Sequence, residues 1–136
     1  MPGTKPLRIL LVEDSAVLAE RLSELLNQVP GVSLVDKVDN ENAAIRIARS
    51  QSVDVLILDL HLRQGTGLGV LRAIADEPTG AVAIVLTNYA LPQYRRAASE
   101  LGVRYFLDKA REFERIPEVL REIADAAGDS LQAGAT

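Results

Sequence analysis

The stretch from Val53 to Asp59 constrains the fold more than any other part of the chain. It reads VDVLILD, with four apolar residues in a row and β-branched residues at positions 53, 55 and 57. Such a run is typical of a strand buried on both faces inside a parallel sheet. The strand ends in an acid, Asp59, and the segment 61–67 that follows contains two glycines. Because ligands of open α/β sheets bind just beyond the carboxyl ends of the strands, Asp59 is a candidate functional residue.

Strand-like and helix-like segments alternate along the rest of the chain. We predict strands at 8–12, 32–38, 53–58, 81–86 and 103–107, and helices from Ser15, from Asp39 or Asn40, from about Leu68, from Pro92 and around Phe113. The connections are long enough to join parallel strands, and right-handed crossovers place helices on both faces of the sheet. The predicted fold is therefore α/β, a doubly wound (βα)5 sandwich with a five-stranded parallel sheet. The alternating segment 32–38 is expected near an edge of that sheet.

Apolar periodicity and helix-breaking residues set the expected helix faces and domain limits. The first helix is predicted to bury Val17, Leu18, Leu22, Leu25 and Leu26, and the third to bury Leu68, Leu71 and Ile74. Pro117 lies inside the last apolar pattern, so it either kinks that helix or marks the start of its main segment. Residues 1–6 are expected to form a flexible lead-in, 7–127 a single domain and 128–136 a flexible tail.

Composition argues against several classes of protein. The 136 residues carry a net charge of −4, with no cysteine and with lysine and arginine scattered along the chain. A disulfide framework or thiolate metal site is therefore excluded, and direct nucleic-acid binding is not expected. The longest apolar runs are about six residues, far short of the ~20 that span a bilayer, so membrane insertion is not expected. Because the first residues lack a signal-peptide pattern, the cytoplasm is the expected location.

Polar side chains follow four of the predicted strands, and they should meet at one edge of the sheet. Glu13 and Asp14 follow the first strand, Asp59 the third, Thr87 the fourth and Lys109 the fifth. Like charges ~4 Å apart repel by about 1 kcal/mol in water and about 4 kcal/mol at an effective dielectric of 20. One lysine cannot offset three carboxylates, whereas a hard divalent cation can, and ligation by oxygen alone favours Mg²⁺. A cation beside an exposed carboxylate, with a lysine and a hydroxyl opposite, suits phosphoryl transfer to that carboxylate.

Over residues 7 to about 127 the chain resembles the receiver domains of two-component response regulators, which have a flavodoxin-like topology. The resemblance implies that Asp59 accepts a phosphoryl group from a sensor histidine kinase, a phosphotransfer protein or a small phosphodonor. Lys109 and Thr87 would then bind phosphoryl oxygens. Tyr105 matches the aromatic position that turns inward when Thr87 is drawn toward the phosphate. The fourth helix, fifth strand and fifth helix would form the surface that binds a downstream target protein, and a homodimer is left open.

The resemblance also implies a metal site and a mode of action. Asp14, Asp59 and the backbone carbonyl of His61 would hold Mg²⁺, with Glu13 acting partly through water. The protein would catalyse its own phosphorylation and dephosphorylation without being a metabolic enzyme. It is expected to be a stand-alone, single-domain response regulator, which docks on another protein or passes the phosphoryl group along a relay.

Four positions depart from the family pattern. Arg63 stands where proline is usual, so the loop after Asp59 is expected to be less rigid. Ala110 replaces the frequent proline after Lys109, so the usual cis peptide there is in doubt. Asn88 stands where a smaller residue is commoner, and His61 occupies a position that tunes dephosphorylation in the family. None of these residues removes a chemical group from the site. We therefore interpret them as affecting reaction rates and the choice of partner.

Two other functions stay open on the sequence alone. The departures at Arg63, Asn88 and Ala110 favour a receiver-like interaction module that works without phosphorylation, although the retention of every chemical group of the site argues against it. An FMN protein or an aspartate-nucleophile phosphatase would share the α/β fold. The acidic residues of the segment 13–16 would repel the FMN phosphate unless a metal intervened. A phosphatase needs a second acid two residues beyond its nucleophile, where this chain has His61.

Overall fold

A single parallel sheet forms the centre of the protein. The structure, a computed structural model, describes residues 5–135, and the side-chain surroundings of residues 5–127. The strands are β1 (Leu7–Val12), β2 (Val32–Val38), β3 (Val55–Leu58), β4 (Val82–Thr87) and β5 (Tyr105–Asp108). Their order is β2-β1-β3-β4-β5, and each neighbouring pair is parallel. The predicted doubly wound α/β fold is confirmed, as is the position of β2 at an edge.

Helices follow each strand and cover both faces of the sheet. They are α1 (Ala16–Asn27), α2 (Glu41–Ser50), α3 (Gly67–Asp76), α4 (Pro92–Glu100), α5 (Lys109–Glu112) and α6 (Ile116–Ala135). The side chains of Ser15, Asn40 and Thr66 cap the first three helices by accepting backbone N–H hydrogen bonds. Each such cap stabilises a helix by about 1 kcal/mol. Pro92 opens α4, where its missing N–H is not needed.

The last helical region differs from the single helix expected around Phe113. It begins at Lys109, directly after β5, and a 3-10 turn at Phe113–Arg115 separates α5 from α6. Pro117 lies in the first turn of α6, so it marks the start of the main segment and does not kink it. The backbone stays helical through Ala135, beyond the predicted end near Ala127. The flexibility expected of the tail stays a prediction, and residues 1–4 of the expected lead-in lie outside the described residues.

The sheet separates two apolar cores. Alternate residues of each central strand point to opposite faces, so Ile9 and Ile57 face one core while Leu10 and Leu58 face the other. The first core is completed by Leu22 and Leu26 of α1 and by Ile116, Val119, Leu120 and Ile123 of α6. The second core is completed by Ala44, Ile47 and Ala48 of α2, by Val70 and Leu71 of α3 and by Ala98 of α4. Both cores end at the sheet edge where the strands terminate in polar residues.

One residue of the predicted helix faces is wrongly assigned, and the face of α3 is centred differently than expected. Val17 is 76% exposed, although it was expected in the apolar stripe of α1. At 3.6 residues per turn it lies about 140° around the helix from Leu22, so the two cannot face the same core. In α3, Val70 is fully buried, whereas Leu68 and Ile74 are only partly buried. The stripe of α3 is therefore centred nearer Val70 than the sequence suggested.

Strand ends also shift slightly, and the shift brings polar residues into the sheet. β3 begins at Val55, two residues after the predicted start. β4 and β5 each end one residue later than predicted, so Thr87 and Asp108 pair with each other in the ladder. No helix within residues 5–135 is both long enough and apolar enough to cross a bilayer.

Candidate functional site

The carboxyl ends of the strands bring the predicted polar residues to one cavity. Glu13 and Asp14 follow β1, Asp59 follows β3, and Lys109 follows β5. All four line a cavity of about 370 Å³ together with residues of the β3–α3 and β4–α4 connections. Four of the five residues that the sequence placed at this edge therefore line one cavity, and the fifth, Thr87, is not among its lining residues.

Lys109 joins two of the carboxylates. Its Nζ donates hydrogen bonds to Glu13 Oε1 and to Asp59 Oδ2, each at 2.6 Å. The three side chains are only 9%, 3% and 8% exposed, so water screens these charges weakly. Burial alone would lower the pKa of Lys109. The hydrogen bonds and negative charges of Asp59 and Glu13 outweigh that effect and raise the pKa above its usual value.

The remaining carboxylate oxygens are held by the backbone. Glu13 Oε2 accepts a hydrogen bond from the N–H of Ser15 at 3.0 Å, and Asp59 Oδ1 accepts one from the N–H of His61 at 3.3 Å. Both carboxylates are therefore contacted at each oxygen, on one side by Lys109 and on the other by the loop that follows their strand. This arrangement fixes the orientation of the Asp59 carboxylate.

The loop after β3 turns back tightly, so that its last residues contact the backbone of the residues that directly follow β3. The N–H of Gly67, the first residue of α3, donates to the carbonyl of Leu60 at 2.9 Å. A Cβ built on Gly67 would overlap the carbonyl oxygen of Asp59. A side chain is therefore excluded at position 67, because α3 begins in direct contact with the backbone of the phosphoacceptor candidate.

Thr87 and Tyr105 were the predicted switch residues. Thr87 is fully buried at the end of β4, and its Oγ1 accepts a hydrogen bond from the N–H of Tyr89 at 3.1 Å. Tyr105 begins β5 and packs, partly buried, against the core that contains α1 and α6. Tyr105 lies on β5 as predicted, whereas Thr87 is the last residue of β4 and not the residue that follows it. Their roles as a switch stay predictions.

The two residues expected to tune reaction rates lie at the mouth of the cavity. Asn88 is exposed and lines this cavity as well as a neighbouring one of about 650 Å³ between α1 and α5. The His61 ring packs against Tyr89 at a tilt of 35°, with ring centroids 3.9 Å apart, and meets Tyr94 of α4 edge-on at 5.4 Å. The sequence analysis missed Tyr89. The signal was its position two residues beyond Thr87, matching that of His61 two residues beyond Asp59 on the adjacent strand.

The turn that presents Lys109 is stabilised by two acids that the sequence analysis also missed. Asp108 Oδ1 accepts hydrogen bonds from the N–H groups of Ala110 and Arg111, and Glu112 Oε1 accepts one from the N–H of Asp108 at 2.9 Å. That hydrogen bond from Asp108, together with the ion pair to Arg115, lowers the pKa of Glu112. The Lys109–Ala110 peptide is trans. Reciprocal capping of this kind fixes where a helix begins, and here it places Lys109 at the first position of α5.

The donor atoms at this edge suit a hard divalent cation. Glu13, Asp14 and Asp59 line one cavity, and their carboxylate oxygens are the kind of ligand that such a cation prefers. As the side chains stand, no group of three or more acidic or histidine side chains within the described residues is close enough to form a metal centre. The Lys109 ammonium lies between Glu13 and Asp59 and already neutralises part of their charge. The fit therefore rests on the chemistry of the donors, and Mg²⁺ stays a prediction.

Comparison with known proteins assigns the chain to a family. The profile of the response regulator receiver domain matches residues 9–121. The chain therefore belongs to the receiver domains of two-component response regulators. The resemblance stated from the sequence is confirmed, and so is the predicted flavodoxin-like α/β fold, whereas the roles of the strand-end residues stay predictions.

Several relatives are known in more detail. The chain is 33% identical to a protein-glutamate methylesterase/protein-glutamine glutaminase of Anaeromyxobacter dehalogenans, matching 81% of this chain and 34% of that protein. It is 30% identical to the transcriptional regulatory protein DesR of Bacillus subtilis, matching 85% of this chain and 57% of that protein. The chain thus spans less than two thirds of the length of these relatives. The single-domain organisation expected from the sequence stays a prediction.

Solved structures share the fold at low identity. The signal receiver domain of the response regulator NarL from Mycobacterium tuberculosis superposes with a TM-score of 0.82 at 20% identity, covering 89% of this chain and 98% of that chain. The response regulator domain of CheB from Thermotoga maritima gives a TM-score of 0.78 at 22% identity, covering 90% and 96%.

Proposed function

We propose that Asp59 accepts a phosphoryl group and thereby switches the protein between two signalling states. The observation that carries this proposal is the contact between Asp59 Oδ2 and Lys109 Nζ at 2.6 Å, at the end of β3 and in a cavity shared with Glu13 and Asp14. A carboxylate nucleophile needs a cation that can follow the incoming phosphoryl oxygens. Lys109 supplies one inside a poorly screened site.

The chemistry transfers one phosphoryl group to a carboxylate oxygen. A carboxylate oxygen of Asp59 attacks the phosphorus of the donor, and an acyl phosphate bond forms as the bond to the leaving group breaks. The leaving group, a histidine nitrogen or a small acid, departs with the bonding electron pair. Lys109 exchanges its hydrogen bond to Asp59 for one to a phosphoryl oxygen. Glu13 keeps the Lys109 ammonium in place meanwhile.

A divalent cation completes the charge balance of the proposed site. Asp14, Asp59 and the backbone carbonyl of His61 would hold Mg²⁺, with Glu13 acting partly through water. When bound, Mg²⁺ would neutralise charge on the phosphoryl oxygens. The side chains of Asp14 and Asp59 border the same cavity, which is the basis for assigning them to the metal.

Thr87 is the proposed sensor of the phosphoryl group. Its hydroxyl oxygen accepts the N–H of Tyr89, so the hydroxyl hydrogen is left to donate to a phosphoryl oxygen. Movement of Thr87 would pull on the β4–α4 connection, and Tyr105 would change its packing. The surface formed by α4, β5 and α6 would then change its affinity for a downstream protein, or for a second copy of the chain. The phosphoryl donor would be a sensor histidine kinase or a phosphotransfer protein in the cytoplasm.

His61 and Asn88 are proposed to set the lifetime of the phosphorylated state. His61 is held over the mouth of the cavity by its stacking on Tyr89, and Asn88 borders the same opening. Both restrict the approach of the water that hydrolyses the acyl phosphate. A His61→Asn, Asn88→Ala double variant should therefore lose its phosphoryl group at a different rate. An unchanged lifetime would refute this assignment.

Mass spectrometry after incubation with acetyl phosphate tests the proposed function. The wild type should gain one phosphoryl group when Mg²⁺ is present and none when it is removed by chelation. Asp59→Asn should gain none. Asp54→Asn is the matched control, because Asp54 is the exposed acid that precedes β3 at the opposite end of the sheet. A phosphoryl adduct on Asp59→Asn, or none on the wild type, would contradict the proposal.

The self-contained charge pairing at the site favours a second candidate function. Lys109 already neutralises part of the charge of Glu13 and Asp59, and both oxygens of each carboxylate already accept a hydrogen bond. The charged groups of such a site have partners without a phosphoryl group. A protein-interaction module that works without phosphorylation would need a site of this kind. Failure of both acetyl phosphate and beryllofluoride to alter the protein would favour this candidate.

A further inference from the structure

A carboxylate outside the acidic cavity contacts the loop that carries the acceptor. Glu41 is the first residue of α2, and its Oε1 accepts a hydrogen bond from the N–H of Thr66 at 2.8 Å. Thr66 caps α3 at the end of the β3–α3 loop. The carboxylate of one helix thus holds the beginning of another across the loop.

The backbone supports the same contact. The N–H of Glu41 donates to the carbonyl of Gln64 at 3.1 Å, and Asn40 and Gln64 form a parallel bridge. Within the loop, His61 and Thr66 form an antiparallel bridge. The N–H of His61 in turn donates to Asp59 Oδ1. A short chain of polar contacts therefore runs from Glu41 to the acceptor carboxylate.

Two glycines leave room for the Glu41 side chain. A Cβ built on Gly65 would overlap Glu41 Cβ, and a Cβ built on Gly69 would overlap the Glu41 carboxylate. Gly65 has φ +85°, so its backbone conformation alone favours glycine. Gly69 lies inside α3 without a positive φ, where alanine is the better helix former. Only the space taken by Glu41 accounts for a glycine at position 69.

We propose that Glu41 is a positioning residue for the phosphoacceptor loop. It holds Thr66, and through the His61–Thr66 bridge it holds His61 beside Asp59. This role rests on the proposed function, because a fixed loop matters for placing the His61 carbonyl and ring at a phosphoryl site. Loss of this contact between Glu41 and Thr66 should make the loop more mobile and raise the Mg²⁺ concentration needed for phosphorylation.

The test uses two variants that break the contact in different ways. Glu41→Ala removes the carboxylate, whereas Gly69→Ala keeps it but displaces it from Thr66 by occupying its space. Glu41→Gln retains an oxygen that can accept the Thr66 N–H and should behave like the wild type. Glu118→Ala is the matched control, because Glu118 is an exposed glutamate in the first turn of α6, far along the chain from the loop.

Two measurements are made on the full chain. The first is amide hydrogen exchange at Thr66 in the unphosphorylated protein, followed by NMR. The second is the Mg²⁺ concentration that gives half-maximal phosphorylation by acetyl phosphate. Glu41→Ala and Gly69→Ala should each accelerate exchange at Thr66 and raise the half-maximal Mg²⁺ concentration, both by about fivefold. This factor corresponds to the loss of one net hydrogen bond. Gly69→Ala should do so with an undiminished melting temperature, which separates positioning from general stability.

Each outcome decides the proposal. If Gly69→Ala matches the wild type in both measurements while Glu41→Ala is impaired in proportion to lost stability, Glu41 is merely structural and the proposal is wrong. If exchange at Thr66 accelerates but the Mg²⁺ requirement does not change, the proposal is also wrong. If the wild type takes up no phosphoryl group, the proposed function fails. Exchange at Thr66 then decides alone whether Glu41 positions the loop: acceleration in both variants supports this role, and unchanged exchange contradicts it.

Discussion

Replacement of Lys109 by methionine should expose how much of the stability depends on one buried charge. Methionine has a similar length and no charge, so Lys109→Met removes the ammonium and leaves the packing nearly intact. The variant leaves Glu13 and Asp59 facing each other without their shared cation. Both carboxylates are more than nine-tenths buried, so water cannot take the place of the ammonium.

The expected loss follows from the geometry. Glu13 Oε1 and Asp59 Oδ2 each lie 2.6 Å from the same nitrogen, and so they are no more than about 5 Å apart. At that distance two unit charges repel by about 3 kcal/mol at an effective dielectric of 20. Removal of one partner of a buried ion pair typically costs about 3–5 kcal/mol. We expect Lys109→Met to lower the free energy of unfolding by about 3 kcal/mol at pH 7.

Urea unfolding followed by circular dichroism measures this loss. Lys37→Met is the matched control, because Lys37 pairs with Glu20 at 3.6 Å with side chains 44% and 64% exposed. That exposed pair should contribute less than about 1 kcal/mol. The deficit of Lys109→Met should shrink on addition of Mg²⁺, because a divalent cation would replace the lost positive charge. A Lys109→Met variant as stable as Lys37→Met at pH 7 would refute the reasoning.

Three further predictions concern the alkaline limit, the loop and the surface of α1. The pKa of Lys109 is raised on folding, so its stabilising contribution is complete below about pH 10.4 and is lost as pH rises through the higher folded value. The difference in unfolding free energy between wild type and Lys109→Met should therefore stay constant above pH 7 and disappear only at strongly alkaline pH, which urea titrations would show. Gly67→Ala should cost about 1–3 kcal/mol and abolish phosphorylation, because its Cβ displaces the Asp59 carbonyl, and a stable, fully active variant would contradict this. Val17→Ser should change the unfolding free energy by less than about 0.5 kcal/mol, whereas Leu22→Ala should cost about 2–5 kcal/mol, and equal losses in urea would show that Val17 is buried in solution.

Strand ends were the part of the site that the sequence predicted best. A run of apolar residues that stops at a charge locates a strand end closely, and parallel strands bring their carboxyl ends to one edge. That reasoning alone placed Glu13, Asp14, Asp59, Thr87 and Lys109 together. The relatives and the family profile confirm the class of protein that these residues indicated.

Contacts between side chains could not be predicted in the same way. The sequence placed Lys109 opposite several acids. Which two of them it contacts depends on side-chain positions that differ by an ångström or less, and a sequence pattern does not fix these. Val17 was wrongly assigned to the core because the apolar pattern of a short helix tolerates one extra member at its edge. Tyr89 and Glu41 were missed because each acts through a loop, where no periodicity shows which residues meet.

The two separate cores have a consequence for how such a chain can change over time. Ile9 and Leu10 are neighbours in sequence yet belong to different interiors, so a replacement at one need not be accommodated by the residues around the other. Residues of the two cores that lie more than about 7–10 Å apart and share no partners contribute independently to stability. Each interior can therefore accumulate substitutions largely independently of the other. Independent substitution in the two cores is consistent with the fold that this chain shares with two solved structures at 20–22% identity, with TM-scores of 0.78 and above.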